Sequence, residues 1–184
     1  MARLSAQDWI LAAAAQVGRA GVDSVRVERI AKSLGVSKGS FYWHFSDRAA
    51  LLEAVVRAWA EQGTEAIIEA VEGETDEPAA RLQALFGRIF GTPTELDAFE
   101  AAVRAWAAAD ADVQSVVRTV DRRRLEFVVD ILVAAGIPKA EARRRANLLY
   151  CVLIGEYAQR SYGKPRLDGP TLSSMHALLL TPVG

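Results

Sequence analysis

Cysteine, histidine and long apolar runs are scarce in this chain of 184 residues, and each scarcity excludes a class of protein. The single cysteine, Cys151, cannot form an internal disulfide, and its apolar surroundings predict a small buried side chain. With only His44 and His176 beside it, no metal-ligand cluster can be assembled, and we predict no cofactor. No segment approaches the ~18 to 20 apolar residues of a membrane span, and the N-terminus lacks a signal-peptide core, so we expect a cytoplasmic protein.

The usual catalytic arrangements are missing as well. The sequence shows no paired carboxylates at a useful spacing, no nucleophile elbow and no glycine loop of the kind that cradles a phosphate. A small helical enzyme is therefore the weakest of the functions considered, and we expect a protein without enzymatic activity.

Strand alternation is essentially absent, whereas helix signals run along the whole chain. Ser5 and Asp8 form a capping-box pattern that predicts a first helix, and Gly35 is placed to end a short second one. Ser37 and Ser46 are predicted to cap a third and a fourth helix. The fold is predicted to be all-α with about nine helices. We assign 1–50 to a three-helix domain and 51–184 to a larger helical domain, with helix four, about 47–71, connecting them.

Positive charge is concentrated at the N-terminal end. Residues 1–57 carry eight Lys and Arg against five Asp and Glu, whereas the remainder carries 14 against 18. A modest basic excess on one module is what contact with phosphate groups requires.

Two short helices around Gly35 have the arrangement of a helix-turn-helix, whose second helix enters the DNA major groove. Val36, Phe41 and Phe45 have the spacing to face inward, which leaves Lys38, Gly39, Tyr42, Trp43 and His44 facing outward. Ser37, Ser40, Tyr42, His44 and Arg48 carry donors that can reach phosphate oxygens. For Trp43, packing and DNA contact both stay open.

The segment "VERIAKSLGVSKGSFYWHFSDRAALLEAVV" resembles the DNA-binding domain of the TetR family of bacterial transcription regulators, over about residues 5–58. The resemblance implies that Lys38, Gly39 and Tyr42 lie near the bases and that Ser40, Trp43, His44 and Arg48 lie on the phosphate backbone. Arg26 stands where the family often has a capping threonine, and it is expected to supply the phosphate contact instead.

The second domain is rich in aromatic side chains at helical spacing. Such stripes are usually core, but together they are typical of a pocket for a small molecule, and the resemblance implies one. We therefore expect an apolar or aromatic effector, with Glu100 and Arg104 as polar contacts. The predicted lining residues are Trp59, Phe86, Phe90, Phe99, Val103, Trp106, Phe127, Tyr150 and Tyr157.

The last two helices are predicted to form a homodimer surface, since a helix-turn-helix reads a palindromic operator through a two-fold dimer. The alternative is that this apolar face, so near the C-terminus, only caps the core. The predicted interface residues are Leu149, Leu153, Glu156, Arg160, Leu172, Met175 and Leu179. The leading hypothesis is thus a ligand-released repressor that binds double-stranded DNA. The alternative is a DNA-binding regulator whose second domain docks a protein partner.

Overall fold

The computed structural model describes residues 4–92, 95–163 and 167–182, without the side chains of 95 and 96, and helix is the regular structure found in these ranges. The helices are α1 Ala6–Ala20, α2 Val27–Ser33, α3 Lys38–Phe41, α4 Arg48–Ala60, α5 Ala66–Glu72, α6 Pro78–Ile89, α7 Glu95–Ala107, α8 Ala111–Ala134, α9 Lys139–Tyr162 and α10 Gly169–Leu180. A π-helical turn, Glu61–Glu65, joins α4 to α5 without a break. If α4, this turn and α5 are counted as one helix, the described ranges contain nine helices. The predicted all-α class is confirmed.

The sequence signals for helix ends are partly borne out. At α1 the capping box is present: the Ser5 N–H donates to Asp8 Oδ2 at 2.7 Å, and the Asp8 N–H donates to Ser5 Oγ at 3.4 Å. At α4 the predicted cap is wrong by one residue, because Asp47 and not Ser46 accepts the Ala50 N–H, at 2.8 Å. The third helix, predicted to follow Ser37, is the single turn α3, which ends at Phe41.

Glycine with positive φ closes α2 and α8. At Gly35, φ is 69°, the Val36 N–H donates to the Ala31 carbonyl at 2.9 Å, and the Gly35 N–H donates to Lys32 at 3.2 Å. This paired pattern is a Schellman motif, in which a left-handed residue satisfies carbonyls that the helix end leaves open. Gly136, with φ of 90°, ends α8 in the same way. The stop at Gly35 was predicted from the sequence.

By internal contacts the chain divides into two compact units. Unit 1 comprises residues 4–61 and 95–117, and unit 2 comprises the described residues of 62–92 and 118–182. The segment 95–117 thus packs with the N-terminal helices. The functional boundary near residue 50 stays a prediction.

Unit 1 is built on α1, which packs against α4 and α7. Trp9, Ala13 and Val17 of α1 are completely buried, at the spacing of one helix face. At Gly18 an added Cβ would meet the Phe99 backbone nitrogen at 3.2 Å, so the glycine permits α7 to approach closely. The first helix is therefore fixed from two sides.

Unit 2 has its own apolar core, contributed by α5, α6, α8, α9 and α10. Phe86, Phe127, Leu132 and Leu149 lie in it. The described helices include none long and apolar enough to cross a membrane.

The orientation of α9 corrects two sequence predictions. Because Leu149, Leu153 and Glu156 face the core of unit 2, Cys151 lies on the opposite face and is exposed, so its predicted burial is wrong. The predicted dimer residues mostly belong to the chain's own core: Leu149, Leu153, Glu156 and Leu179 are buried, the Arg160 side chain is 3% exposed, and Leu172 and Met175 pack against the core. Leu172 and Met175 are only partly buried, and the dimer interface itself stays a prediction.

Candidate nucleic-acid interface

The turn between α2 and α3 is set by Gly35 and held by its two backbone hydrogen bonds. Arg26 is the N-cap residue of α2, but no side chain caps that helix end. The nearby Ser24 hydroxyl donates to the Gly21 carbonyl at 2.7 Å. The short helices of the predicted helix-turn-helix are thus held mainly by the turn and by the core beneath them.

That core is aromatic. Phe41 is completely buried, and its ring centroid lies 5.3 Å from that of Trp9 and 5.6 Å from that of Phe45. Edge-to-face and offset ring contacts at this distance add to the hydrophobic gain. The predicted inward direction of Phe41 and Phe45 is confirmed, and Val36 is half-buried.

The side chains predicted to read DNA lie on the outer side of this core. Tyr42 is 56% exposed and Trp43 is 73% exposed, which for two large rings is unusual in a soluble surface. Trp43 therefore does not serve as a core residue. Lys38 and Gly39 are also exposed, whereas Ser40 and His44 are half-buried. The outer surface of α3 and the turn after it combines cationic, aromatic and hydrogen-bonding groups.

Gly39 has no packing reason to be glycine. An added Cβ there would meet only the Ser37 hydroxyl, at 3.6 Å, which is an ordinary contact. Ser37 occupies the N-cap position of α3, but its hydroxyl makes no capping hydrogen bond.

Lys38 is held by an acidic neighbour that the sequence pattern did not reveal. Its Nζ lies 2.5 Å from Glu28 Oε1, across the turn from α2. The hydrogen bond from Lys38 lowers the pKa of the Glu28 carboxyl, and the bond to Glu28 raises the pKa of Lys38. No periodic signal predicts a pair ten positions apart on different helices, although both residue types are visible in the sequence.

The two arginines predicted to contact phosphate hold backbone carbonyls. Arg48 donates from Nε to Val25 O at 2.9 Å and from Nη2 to Val22 O at 2.6 Å. Arg26 donates from Nη1 to Asp23 O at 2.6 Å. Arg48 thus fastens the start of α4 to the segment before α2, a structural role that sequence reasoning missed.

The nine predicted effector residues divide between the two units. Trp59, Phe99, Val103 and Trp106 lie in unit 1, and Phe86, Phe90, Phe127, Tyr150 and Tyr157 lie in unit 2. Four of the latter five are core residues, and the Tyr150 hydroxyl donates to Asp121 Oδ1 at 2.6 Å.

A buried polar cluster ties α4 to α7 within unit 1. Glu100 is 6% exposed and accepts from Trp59 Nε1 at 2.7 Å and from Arg104 Nη2 at 2.8 Å. Glu100 and Arg104, expected as effector contacts, are therefore bonded to each other in the folded chain.

Unit 1 also holds a cleft of about 1090 Å³ beside α4. Its apolar walls include Leu52, Val56, Val113 and Val116, and Trp106 is the one predicted effector residue that lines it. More carboxylates than guanidinium groups lie around it, which disfavours an anionic occupant.

A helix-turn-helix with Lys38 on its second helix, and with Tyr42 and Trp43 exposed in the turn that follows, is the arrangement of a DNA-binding transcriptional regulator. Comparison with known proteins gives the family. Residues 10–55 match the model for bacterial regulatory proteins of the tetR family. These residues of the chain are a DNA-binding domain of the TetR family.

Relatives and solved structures agree with this assignment. The chain is 28% identical to the HTH-type transcriptional regulator BetI of Serratia proteamaculans over 181 residues, which cover 95% of this chain and 87% of that protein. It is 36% identical over 58 residues to the class A tetracycline repressor protein of Escherichia coli, covering 32% of this chain and 27% of the repressor. A TetR regulator structure from Legionella pneumophila shares the fold, with a TM-score of 0.77 at 14% identity, over 96% of this chain and 95% of that one.

Proposed function

We propose that this regulator is a repressor that binds a palindromic operator as a homodimer and is released by a small apolar or aromatic effector. The exposure of Tyr42 and Trp43 beside Lys38 is the observation that carries the DNA-binding part of the proposal. The name of one relative, a tetracycline repressor protein, supports repression rather than activation of transcription. We place the chain's action in the cytoplasm, where its operator would be.

At the DNA, Lys38, Gly39 and Tyr42 are proposed to meet the base edges. Ser37, Ser40, Trp43 and His44 are proposed to meet phosphate or sugar, where hydroxyl, indole and imidazole groups all supply donors. Arg26 and Arg48 are proposed to contact DNA phosphates only in part, because their guanidinium groups also donate to carbonyl groups of the protein itself. Half or more of the contacts in such an interface position the protein and carry no sequence information.

For the homodimer we propose the exposed apolar side chains of α9 and α10. Leu148 is 68% exposed, Val152 37% and Leu178 69%. Leu148 and Val152 are one turn apart on α9, and Arg145, one turn earlier, donates to the Leu179 carbonyl of α10 at 2.8 Å. An apolar surface shared by two adjacent helices suits a self-complementary interface.

For the effector we propose the cleft beside α4, because its walls are largely apolar and include the Trp106 ring. A molecule bound there contacts α4, the helix that follows the helix-turn-helix. It can release DNA only by binding more tightly to a state that binds the operator poorly.

An electrophoretic mobility shift assay on the DNA upstream of the protein's own gene tests the proposal. Benzyl alcohol, benzyltrimethylammonium and benzoate serve as matched neutral, cationic and anionic effector probes. We expect a shifted band that the neutral or the cationic probe weakens and that benzoate leaves unchanged. Trp106→Ala is expected to remove the response without removing the shift. A band that no probe weakens contradicts the effector part alone.

A further inference from the structure

Glu28 and Lys38 form an ion pair on the outer surface of the helix-turn-helix. The two residues lie on α2 and α3, on either side of the Gly35 turn, and Lys38 Nζ is 2.5 Å from Glu28 Oε1. Both side chains are half or more exposed, at 50% for Lys38 and 62% for Glu28. An acidic side chain is thus bonded to the lysine that is proposed to read the bases.

This pairing changes what Lys38 offers to DNA. A free ammonium is a compact charge on a flexible stem, and it binds any phosphate within reach. When a carboxylate holds the ammonium, its charge is balanced and its direction is restricted, while the ammonium still has two further hydrogens to donate. Base acceptors in the major groove, such as guanine O6 and N7, can then share the lysine with the carboxylate.

We propose that Glu28 is a positioning residue that sets sequence selectivity through Lys38, by keeping the lysine from non-specific phosphates and directing it at the base edges. The inference rests on the proposed placement of Lys38 at the bases. It assigns a role in DNA recognition to a residue of α2, outside the recognition helix.

Two simpler roles for Glu28 make different predictions. As an acidic residue in the first turn of α2, it also suits the helix dipole, and that role affects only stability. As a surface carboxylate it repels phosphate directly, and that effect does not need Lys38. Only the proposed role requires that the effect of removing Glu28 vanish when Lys38 is already absent.

The test is a double-mutant cycle with the full-length chain: wild type, Glu28→Gln, Lys38→Met and the double variant. Each is titrated by fluorescence anisotropy against an operator duplex and against a scrambled duplex of the same composition, over a series of salt concentrations. Glu69→Gln, the same charge change at an exposed position of α5, is the matched control.

We expect Glu28→Gln to tighten binding to the scrambled duplex about eightfold near 0.1 M salt and to steepen its salt slope by about 0.9, the effect of one further phosphate contact. Operator affinity is expected to change less, so the ratio of specific to non-specific binding falls. In the Lys38→Met background, Glu28→Gln is expected to change neither quantity, and Glu69→Gln leaves both as in wild type.

Equal effects of Glu28→Gln with and without Lys38 overturn the inference in favour of direct repulsion, and no effect in either background overturns it as well. Thermal unfolding of each variant verifies folding, and Glu28→Ala makes the same charge change in the same cycle if the glutamine variant is unstable. A wild-type chain that fails to distinguish operator from scrambled duplex contradicts the proposed operator binding. A wild type that distinguishes them, without coupling in the cycle, contradicts this inference alone.

Discussion

Single residues of the recognition segment divide sharply between packing and contact. Phe41 has no exposed surface, whereas its neighbours Tyr42 and Trp43 project into solvent. Phe41 is the last residue of the one-turn helix α3, and Tyr42 and Trp43 lie in the turn that follows it. These three consecutive positions therefore anchor α3 to Trp9 and present two aromatic rings outward.

Gly39 gives a residue-scale prediction. Gly39→Ala is expected to leave stability unchanged or raise it, since alanine is favoured over glycine in a helix by about 1 kcal/mol, while operator affinity falls about tenfold because the methyl group holds the backbone away from the DNA. Anisotropy titration and thermal unfolding measure the two effects.

Gly87→Ala is the matched control, since an added Cβ in α6 meets nothing within 4 Å. It is expected to gain stability and to bind DNA as wild type does. If Gly39→Ala also binds with wild-type affinity, the proposed close approach of DNA at this position is wrong.

Glu100 gives a second prediction at this scale, for stability. Its carboxylate accepts from both Trp59 and Arg104 in a buried setting. Glu100→Ala is expected to lower the free energy of unfolding by about 3 kcal/mol, since a buried polar cluster loses its shared acceptor, and Glu100→Gln by less because one acceptor oxygen is kept. Urea unfolding measures both, and an Ala variant as stable as the exposed control Glu53→Ala contradicts the expectation.

Among the elements, α9 organises unit 2 on one face and exposes apolar side chains on the other. Its inward face includes Glu156 and Arg160, whose side chains are 2% and 3% exposed and 3.1 Å apart, and Arg160 Nη2 also donates to the Phe90 carbonyl at 3.0 Å. Near its start, Arg145 donates to carbonyls at the end of α10, at 2.8 Å for Leu179 and 2.7 Å for Thr181. α9 thus connects α6 and α10.

The hydrogen bonds that Glu141 accepts give a prediction for how stability depends on pH. Hydrogen bonds from Arg145 and Arg144 lower the pKa of the Glu141 carboxyl from its ordinary value of 4.5. A depressed native pKa means that the carboxylate adds stability above about pH 4.5, and that this contribution is lost as the pH falls through the native value. The stability gap between wild type and Glu141→Gln is therefore expected to shrink from about pH 7 to about pH 3. Urea midpoints measure it, and a constant gap contradicts the assignment.

The outward face of α9 gives the prediction for assembly. Leu148→Asp places a charge on the proposed interface and is expected to convert the dimer to monomer, with a loss of operator affinity of at least about tenfold. Val133→Asp, at a 42% exposed apolar position of α8, is the control and is expected to remain dimeric. Sedimentation equilibrium measures the mass. A wild-type monomer, or an unchanged Leu148→Asp dimer, rules out this face.

At the scale of the whole molecule, the features that could be predicted are the helix ends that depend on residues close together in the sequence. Ser5 with Asp8, Gly35 and Gly136 carry their own geometric reasons, and the ends of α1, α2 and α8 follow from them. The side of α9 that faces the core could not be predicted, because apolar residues occur all around this helix and do not mark one face. The Arg48 and Glu28 contacts were also hidden, since they join side chains to groups 10 to 26 residues away.

The most direct test of the central claim is the sequence selectivity of DNA binding. The purified chain is incubated with a pool of random duplexes, and the bound fraction is sequenced over successive rounds, in parallel with Tyr42→Ala. The account predicts enrichment of a palindrome with two half-sites in wild type and a changed base preference within each half-site for Tyr42→Ala. A bound pool indistinguishable from the input pool would contradict it.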